Sequence, residues 1–408
     1  MKSLNLIFLG LLSSSAYAQQ SLSLEQAVQT ALQKNQLIQS AEYQVEYFRQ
    51  VKKTATDIGK LSAMWMHGQY NSIYQDNNLN LVQTLPFPTL LGSQVQLGKE
   101  QVIGAQKGLR SIQNDLAFEV KSVYYQLLYQ VELKKLLLSQ DTLYSDFSRA
   151  SSLRFKTGES NLLEKTTAET QWMEVKNQSR LNEADIQIAE TRLQALLKSE
   201  SRVMASEVLK KRDLPQELDS VSLSANPQLN SLRQQAVISQ RVKRVERNRI
   251  LPDISIGYFS QSLVGIQNIN HQDQYFGAGK RFQGFELGLS IPIWIAPQMA
   301  RAKAAAFSEE VARKNAEHFQ TTLTGAYAQA LQELDKNLSS LDYYQSNALK
   351  NAQLILTQAR MAFSAGQIGY IEYLQSLRNA ITIKSNYLQS LNLYNQSVVK
   401  IEFLLGKF

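Results

Sequence analysis

Apolar residues recur at three- and four-residue spacing through two proline-free stretches, 89–214 and 298–408. Leu116, Val120, Val123 and Leu127 mark the stripe in the first, and Leu331, Leu334, Leu338 and Leu341 in the second. That period belongs to a helix that buries one face. All seven prolines lie outside these stretches, and a proline in a helix interior would break it. Pro88 to Gly158 spans 70 residues and Pro297 to Gly366 spans 69, room for roughly 100 Å of helix each if helical throughout. The pattern predicts long helices sealed against one another by their stripes. Their opposite faces are rich in amides and hydroxyls, as in Gln320 to Thr324 and Asn337 to Gln345. Such a face suits an ordinary wet surface or the lining of a water-filled lumen, and composition does not separate the two.

A second pattern has period two. Phe285, Leu287, Leu289, Ile291 and Ile293 alternate with Glu286, Gly288 and Ser290, which predicts a strand with one greasy and one polar face. Its partner run is Asp253 to Gln261, joined by an exposed loop from about Ser262 to Arg281. The first half offers Leu61 to Tyr74, a Gln75-Asp76-Asn77-Asn78 turn, and Leu79 to Phe87. Two hairpins, about 61–87 and 253–294, give four strands. Runs of about ten residues match a tilted transmembrane strand. Four strands cannot close a barrel, and an open edge in lipid leaves backbone groups unsatisfied. The chain must therefore share a barrel with copies of itself.

The two patterns occur in the same order twice. Phe155, Gly158, Leu163 and Glu164 recur 208 positions later as Phe363, Gly366, Ile371 and Glu372, and Leu196-Leu197 recurs as Leu404-Leu405. Leu85-Pro86-Phe87 matches Ile291-Pro292-Ile293. The unit is strands plus a long helical hairpin, used twice. The expected division is a signal peptide over 1–18, a first repeat over 19–198 with its tip near 158, a connecting segment over 199–225, and a second repeat over 226–408 with its tip near 366. Ser23 with Gln26 forms a capping box that starts the first helix of the mature chain.

Composition adds the compartment. Lys2, the apolar run Leu4 to Leu12 and Ala16-Tyr17-Ala18 read as an export signal cut before Gln19. The chain has no cysteine, which excludes disulfides, thiolate metal sites and lipid attachment at the cleavage point. No later segment approaches the roughly 18 consecutive apolar residues of a spanning helix, so any membrane crossing falls to the strands. The net charge of +8 is moderate for 408 residues and does not point to nucleic acid. The densest basic run is Arg241, Lys243, Arg244, Arg247 and Arg249, with Lys52, Lys53 and Lys60 in the matching place of the first half. It fits a solvated helix face, or contact with lipid or lipopolysaccharide phosphates.

Catalytic chemistry finds no foothold. Met64-Trp65-Met66-His67 holds soft metal ligands, but on a strand the methionines face away from Trp65 and His67. Trp65 and Trp294 read instead as aromatics at a membrane interface. The three histidines, at 67, 271 and 318, are far apart in sequence. Gly277-Ala278-Gly279-Lys280 lacks the spacing of a phosphate loop, with Arg281 where Ser or Thr belongs. No nucleophile elbow or paired-carboxylate motif is present. No catalytic residue, cofactor or resident metal is expected, and Phe408 reads as a fraying end.

Several of these segments resemble one family. Ser21-Leu22-Ser23-Leu24-Glu25-Gln26-Ala27, Arg154-Phe155-Lys156-Thr157-Gly158, Ala362-Phe363-Ser364-Ala365-Gly366, Leu251-Pro252-Asp253-Ile254-Ser255 and Leu289-Ser290-Ile291-Pro292 are similar to segments of the TolC-like outer-membrane efflux proteins. The resemblance implies a mainly α fold with a membrane β-barrel: a homotrimer whose chains give four strands each to a twelve-stranded barrel, with long helical hairpins forming an α-barrel. It implies the outer membrane of a Gram-negative bacterium, with contact to lipid and the helical part in the periplasm. It implies a passive exit duct of a tripartite efflux system. A periplasmic adaptor would meet the tips, at Gly158, Glu159, Glu164, Gly366 and Gln367, beneath an inner-membrane pump of the resistance-nodulation-division type. The family's acidic pair after the second hairpin falls on Glu372 and Gln375, and its gate-tethering Tyr and Arg fall on Phe363 and Ile368, so the polar lock is reduced here. Asn35-Gln36 stands where the family often has Asn-Pro, which this chain keeps at Asn226-Pro227. The alternatives are the outer-membrane duct of a type I protein-secretion system and a non-transport periplasmic coiled-coil protein.

Overall fold

The computed structural model describes residues 20–214 and 220–407. The expected signal peptide and Phe408 lie outside the described residues. In chain order the elements are β1 (Gln20–Leu22), α1 (Leu24–Lys34), α2 (Gln36–Lys53), β2 (Ser62–Gly68), β3 (Asp76–Leu85), α3 (Pro88–Lys156), α4 (Leu162–Leu197), β4 (Val203–Ala205), α5 (Pro227–Asn248), β5 (Asp253–Gln261), β6 (Gly265–Ile269), β7 (Gln272–Phe276), β8 (Phe282–Ser290), α6 (Ala296–Tyr343), α7 (Leu349–Ser364) and α8 (Tyr370–Leu405). They form two compact units, one from residues up to Gln39 with Ile112–Leu223 and Leu323–Phe408, the other from Ser40–Ser111 and Ser224–Thr322. Each unit draws on both halves of the sequence.

The first unit holds most of the large buried side chains. Leu116, Val120, Val123 and Leu127 are buried on α3 as the stripe predicts, joined by Leu193 and Leu197 of α4 and by Ile401, Leu404 and Leu405 of α8. Leu334 and Leu341 of the second stripe are buried on α6. The capping box is present: Gln26 N–H donates to Ser23 Oγ, and Ser23 N–H to Gln26 Oε1. Asn35 ends α1 and starts α2 without a proline, its Oδ1 accepting from Leu37 N–H while its amide donates to Leu196 O. The connecting segment is more ordered than its weak periodicity suggests. β4 pairs parallel to β1. Beyond β4, Arg212 forks onto Glu402, which also takes Lys121 at 2.8 Å. Burial works against the charge of Arg212, yet Glu402 and Tyr125 hold its pKa above the ordinary value.

The second long helix is not continuous. Five residues, Tyr344–Ala348, form a π turn between α6 and α7, whereas α3 runs unbroken for 69 residues. One extra residue per turn leaves no trace in hydrophobic spacing over so short a segment.

In the second unit β2, β3, β5 and β8 form one antiparallel sheet in that order. The pairing of β3 with β5 joins the hairpins of the two sequence halves. Two details correct the sequence reading. Asp76, Asn77 and Asn78 belong to β3, and the connection is Gln69 to Gln75. The reason is tertiary: the buried Asp76 carboxylate accepts from Ser72 Oγ, Ser262 Oγ and Val264 N–H at 2.8 to 3.0 Å. The expected loop 262–281 contains its own hairpin, β6 with β7, turning at Asn270 and His271, both at positive φ. Asn-Gly announces such a turn in sequence, and Asn-His does not.

Candidate functional site

Two regions carry the residues singled out by sequence. The first is the pair of helix reversals, both in the first unit. Gly158 and Gly366 have φ of 80° and 72°, in the left-handed region that glycine enters at no steric cost. The reversals are built alike: Glu159 N–H donates to Arg154 O and Gln367 N–H to Ala362 O, each at 2.8 Å, positions that correspond in the repeat. Both glycines, Glu159 and Gln367 are exposed.

The duplicated glutamates differ in employment. Glu164 pairs with Arg154 at 3.3 Å. The repeat partner of Arg154 is Ala362, so Glu372 has no matching cation and its carboxylate caps α8, accepting from Gly369 N–H at 3.3 Å. Glu372 and Gln375 are exposed. Phe363 joins an aromatic cluster that the sequence does not announce. Its ring stacks on Tyr373 at 4.6 Å, and Phe147 stacks on Tyr370 at 4.7 Å. Trp172, Leu374 and Leu377 complete a core shared by α3, α4, α7 and α8. Ile368 is half-buried and is not one of the residues of this core. Burial, with Glu164 and Tyr144 nearby, pushes the Tyr370 hydroxyl up to about 12.

The second region is the sheet. The register sorts its side chains by face: Trp65 lies opposite Leu79, Leu81 opposite Tyr258, Ile256 opposite Leu287 and Ile254 opposite Leu289. Met64 and Met66 oppose Asn80 and Asn78 on the other face, so Met64, Trp65, Met66 and His67 do not converge. The apolar face is open. Phe285 is 84% exposed, Leu287 82%, Leu289 64% and Trp65 68%, and Trp294 beyond β8 is 84% exposed. Among the described residues, β2 and β8 each have a neighbour on one side only. No described helix is long and apolar enough to cross a membrane.

The basic run on α5 is largely engaged within its unit. Arg241 pairs with Glu100 at 3.3 Å, Lys243 with Glu309 at 2.8 Å and Arg249 with Glu246 at 2.9 Å. That favours a packed, solvated helix face over a phosphate-binding patch.

No family model matches the sequence, and no curated protein does. Solved structures do. CusC, described for conformational changes accompanying folding and transmembrane channel formation, matches with a TM-score of 0.77 at 17% identity over 98% of this chain and 96% of its own. The CmeC outer-membrane channel of Campylobacter jejuni matches at 0.76 and 15% identity, over 94% and 86%. The open MtrE outer-membrane channel of Neisseria gonorrhoeae matches at 0.75 and 14%, over 94% and 88%. The chain has the TolC-like outer-membrane channel fold. At such identities the likeness is one of backbone. The similar structures are channels rather than enzymes.

Proposed function

We propose that the protein is a passive exit duct in the outer membrane of a Gram-negative bacterium, working as a homotrimer in a tripartite efflux system. The observation that carries this is the sheet. Four antiparallel strands with an apolar face open to the surroundings and two unpaired edges are unsatisfied both in water and in lipid. Three copies edge to edge supply twelve strands and remove every edge. Trp65 and Trp294 sit at the lipid interface. The likeness to known channels supports this reading.

The helical part lies in the periplasm, and energy comes from an inner-membrane pump of the resistance-nodulation-division type through a periplasmic adaptor. The two sequence repeats supply quasi-equivalent hairpins whose tips, Gly158, Glu159, Glu164, Gly366 and Gln367, meet the adaptor. Glu372, Gln375, Phe363 and Ile368 mark the gate, where the aromatic cluster takes over much of the work of a polar lock. Cysteines placed at Glu159 and Gln367 will crosslink to adaptor hairpins in intact cells. Labelling of either position from outside by a reagent that cannot cross the outer membrane would reverse the orientation and refute the placement.

A further inference from the structure

Charge in the sheet runs opposite to charge in the chain. The protein carries a net +8, yet β2, β3, β5 and β8 hold three carboxylates, Asp76, Asp253 and Glu286, and no lysine or arginine. The register places all three on the polar face: Asp76 opposite Gly68, Asp253 opposite Ser290 and Glu286 opposite Gly257. Asp76 is buried and occupied by Ser72, Ser262 and Val264. Glu286 stands mid-strand and exposed. Its side chain lies flat over Gly257, where a Cβ would come within 2.5 Å of Glu286 Cγ and Oε1. The cross-strand neighbours repeat the device, Gly284 beneath the Phe259 ring and Gly288 beside Ser255 Oγ. Glycine opposite each larger group keeps that group low against the sheet, so a carboxylate sits on this wall without projecting from it.

We propose that Glu286 sets the charge preference of the strand-built part of the duct, favouring cationic and zwitterionic small solutes over anions. The inference rests on the trimeric duct reading above, which turns one carboxylate into a symmetric ring of three on the lumen wall. A wall backed by lipid concentrates the field of such charges in the water beside them. Three unit charges about 8 Å from an ion on the axis, screened over about one Debye length, change the local cation concentration by about two- to threefold. The competing arrangement pairs Glu286 with a lysine of the adjoining copy, such as Lys60 just before β2, which would cancel the ring.

Reversal potentials of purified channels in planar bilayers under a potassium chloride gradient separate the two in the wild-type protein: the open ring gives a preference for potassium, and a wild-type ratio showing none would mean a cancelled ring and overturn the proposal. Because the ring enriches cations and depletes anions by the same factor, Glu286→Gln is expected to lower the potassium-to-chloride permeability ratio about four- to ninefold at ~0.1 M salt and much less at ~1 M. Glu286→Lys reverses the sign of the ring and shifts the ratio further in the same direction. Unchanged ratios in both variants, with conducting trimers, would overturn the proposal. A wild-type protein that extracts as a monomer and conducts nothing would instead overturn the duct reading, and this inference with it.

Discussion

Lys198 and Gly406 occupy corresponding places in the repeat and end α4 and α8 in the same way. Both are left-handed, with φ of 50° and 71°. Ser199 N–H donates to Gln194 O, and Lys407 N–H to Glu402 O, a closure again displaced by 208. A lysine in that conformation costs about 1 kcal/mol that glycine does not. Lys198→Gly should therefore stabilise the protein by about 0.5–1 kcal/mol, read from the denaturant midpoint; a loss of stability would show that the Lys198 side chain contributes more than its backbone costs. The turns at Gly158 and Gly366 are legible in the sequence because glycine announces positive φ, and the one at Lys198 is not. Tyr370 supplies a second test at this scale. Below its ordinary pKa of 10.0 the phenol is neutral in both folded and unfolded chains, and in the fold it stays so up to about 12. Between those values the unfolded chain ionises and the folded one does not, so stability falls as pH rises through that window. Tyr370→Phe should flatten this alkaline loss while leaving stability near neutral pH unchanged within about 0.5 kcal/mol. An unaltered alkaline profile would remove Tyr370 from the buried cluster.

Elements are legible in the sequence where one period dominates. The stripe at 116 to 127 and the alternation at 285 to 289 are clear because each buries or exposes a single face. β8, however, ends at Ser290 before Pro292, which has no N–H for a ladder, so Ile291 and Ile293 lie beyond the strand that their spacing predicts. The first β connection is displaced in a sequence reading because Asp76 looks like a turn residue until its carboxylate is given partners almost 190 residues away, at Ser262 and Val264. The link after β4 carries only weak periodicity, since polar contacts do much to hold it to the helices. Arg212 N–H donates to Asn395 Oδ1, Tyr394 hydroxyl donates to Arg212 O, and the Arg212 guanidinium meets Glu402. The side chains of Lys121 and Glu402 are each 11% exposed, and that of Arg212 24%. Removing the shared carboxylate leaves two cations poorly solvated, so Glu402→Leu should cost about 3–5 kcal/mol. A cost below about 1 kcal/mol in urea unfolding would mean that water already compensates these charges.

At the scale of the whole molecule, function follows from an incompleteness. The helices satisfy their own backbone and seal against one another, but the sheet does neither: its greasy face is open and its edge strands β2 and β8 lack outer neighbours among the described residues. That much is legible in the sequence from strand count and strand length alone. The aromatic cluster at the hairpin tips is not, because Phe147 and Phe363 are brought together from 216 positions apart in sequence only by the packing of α3 on α7 and α8. The claim that one chain is a third of a barrel is met most directly by the native mass of the protein extracted in mild detergent. We predict three copies of the chain in one particle, with no folded monomer at any detergent concentration that preserves helicity. A stable, fully helical monomer would contradict it.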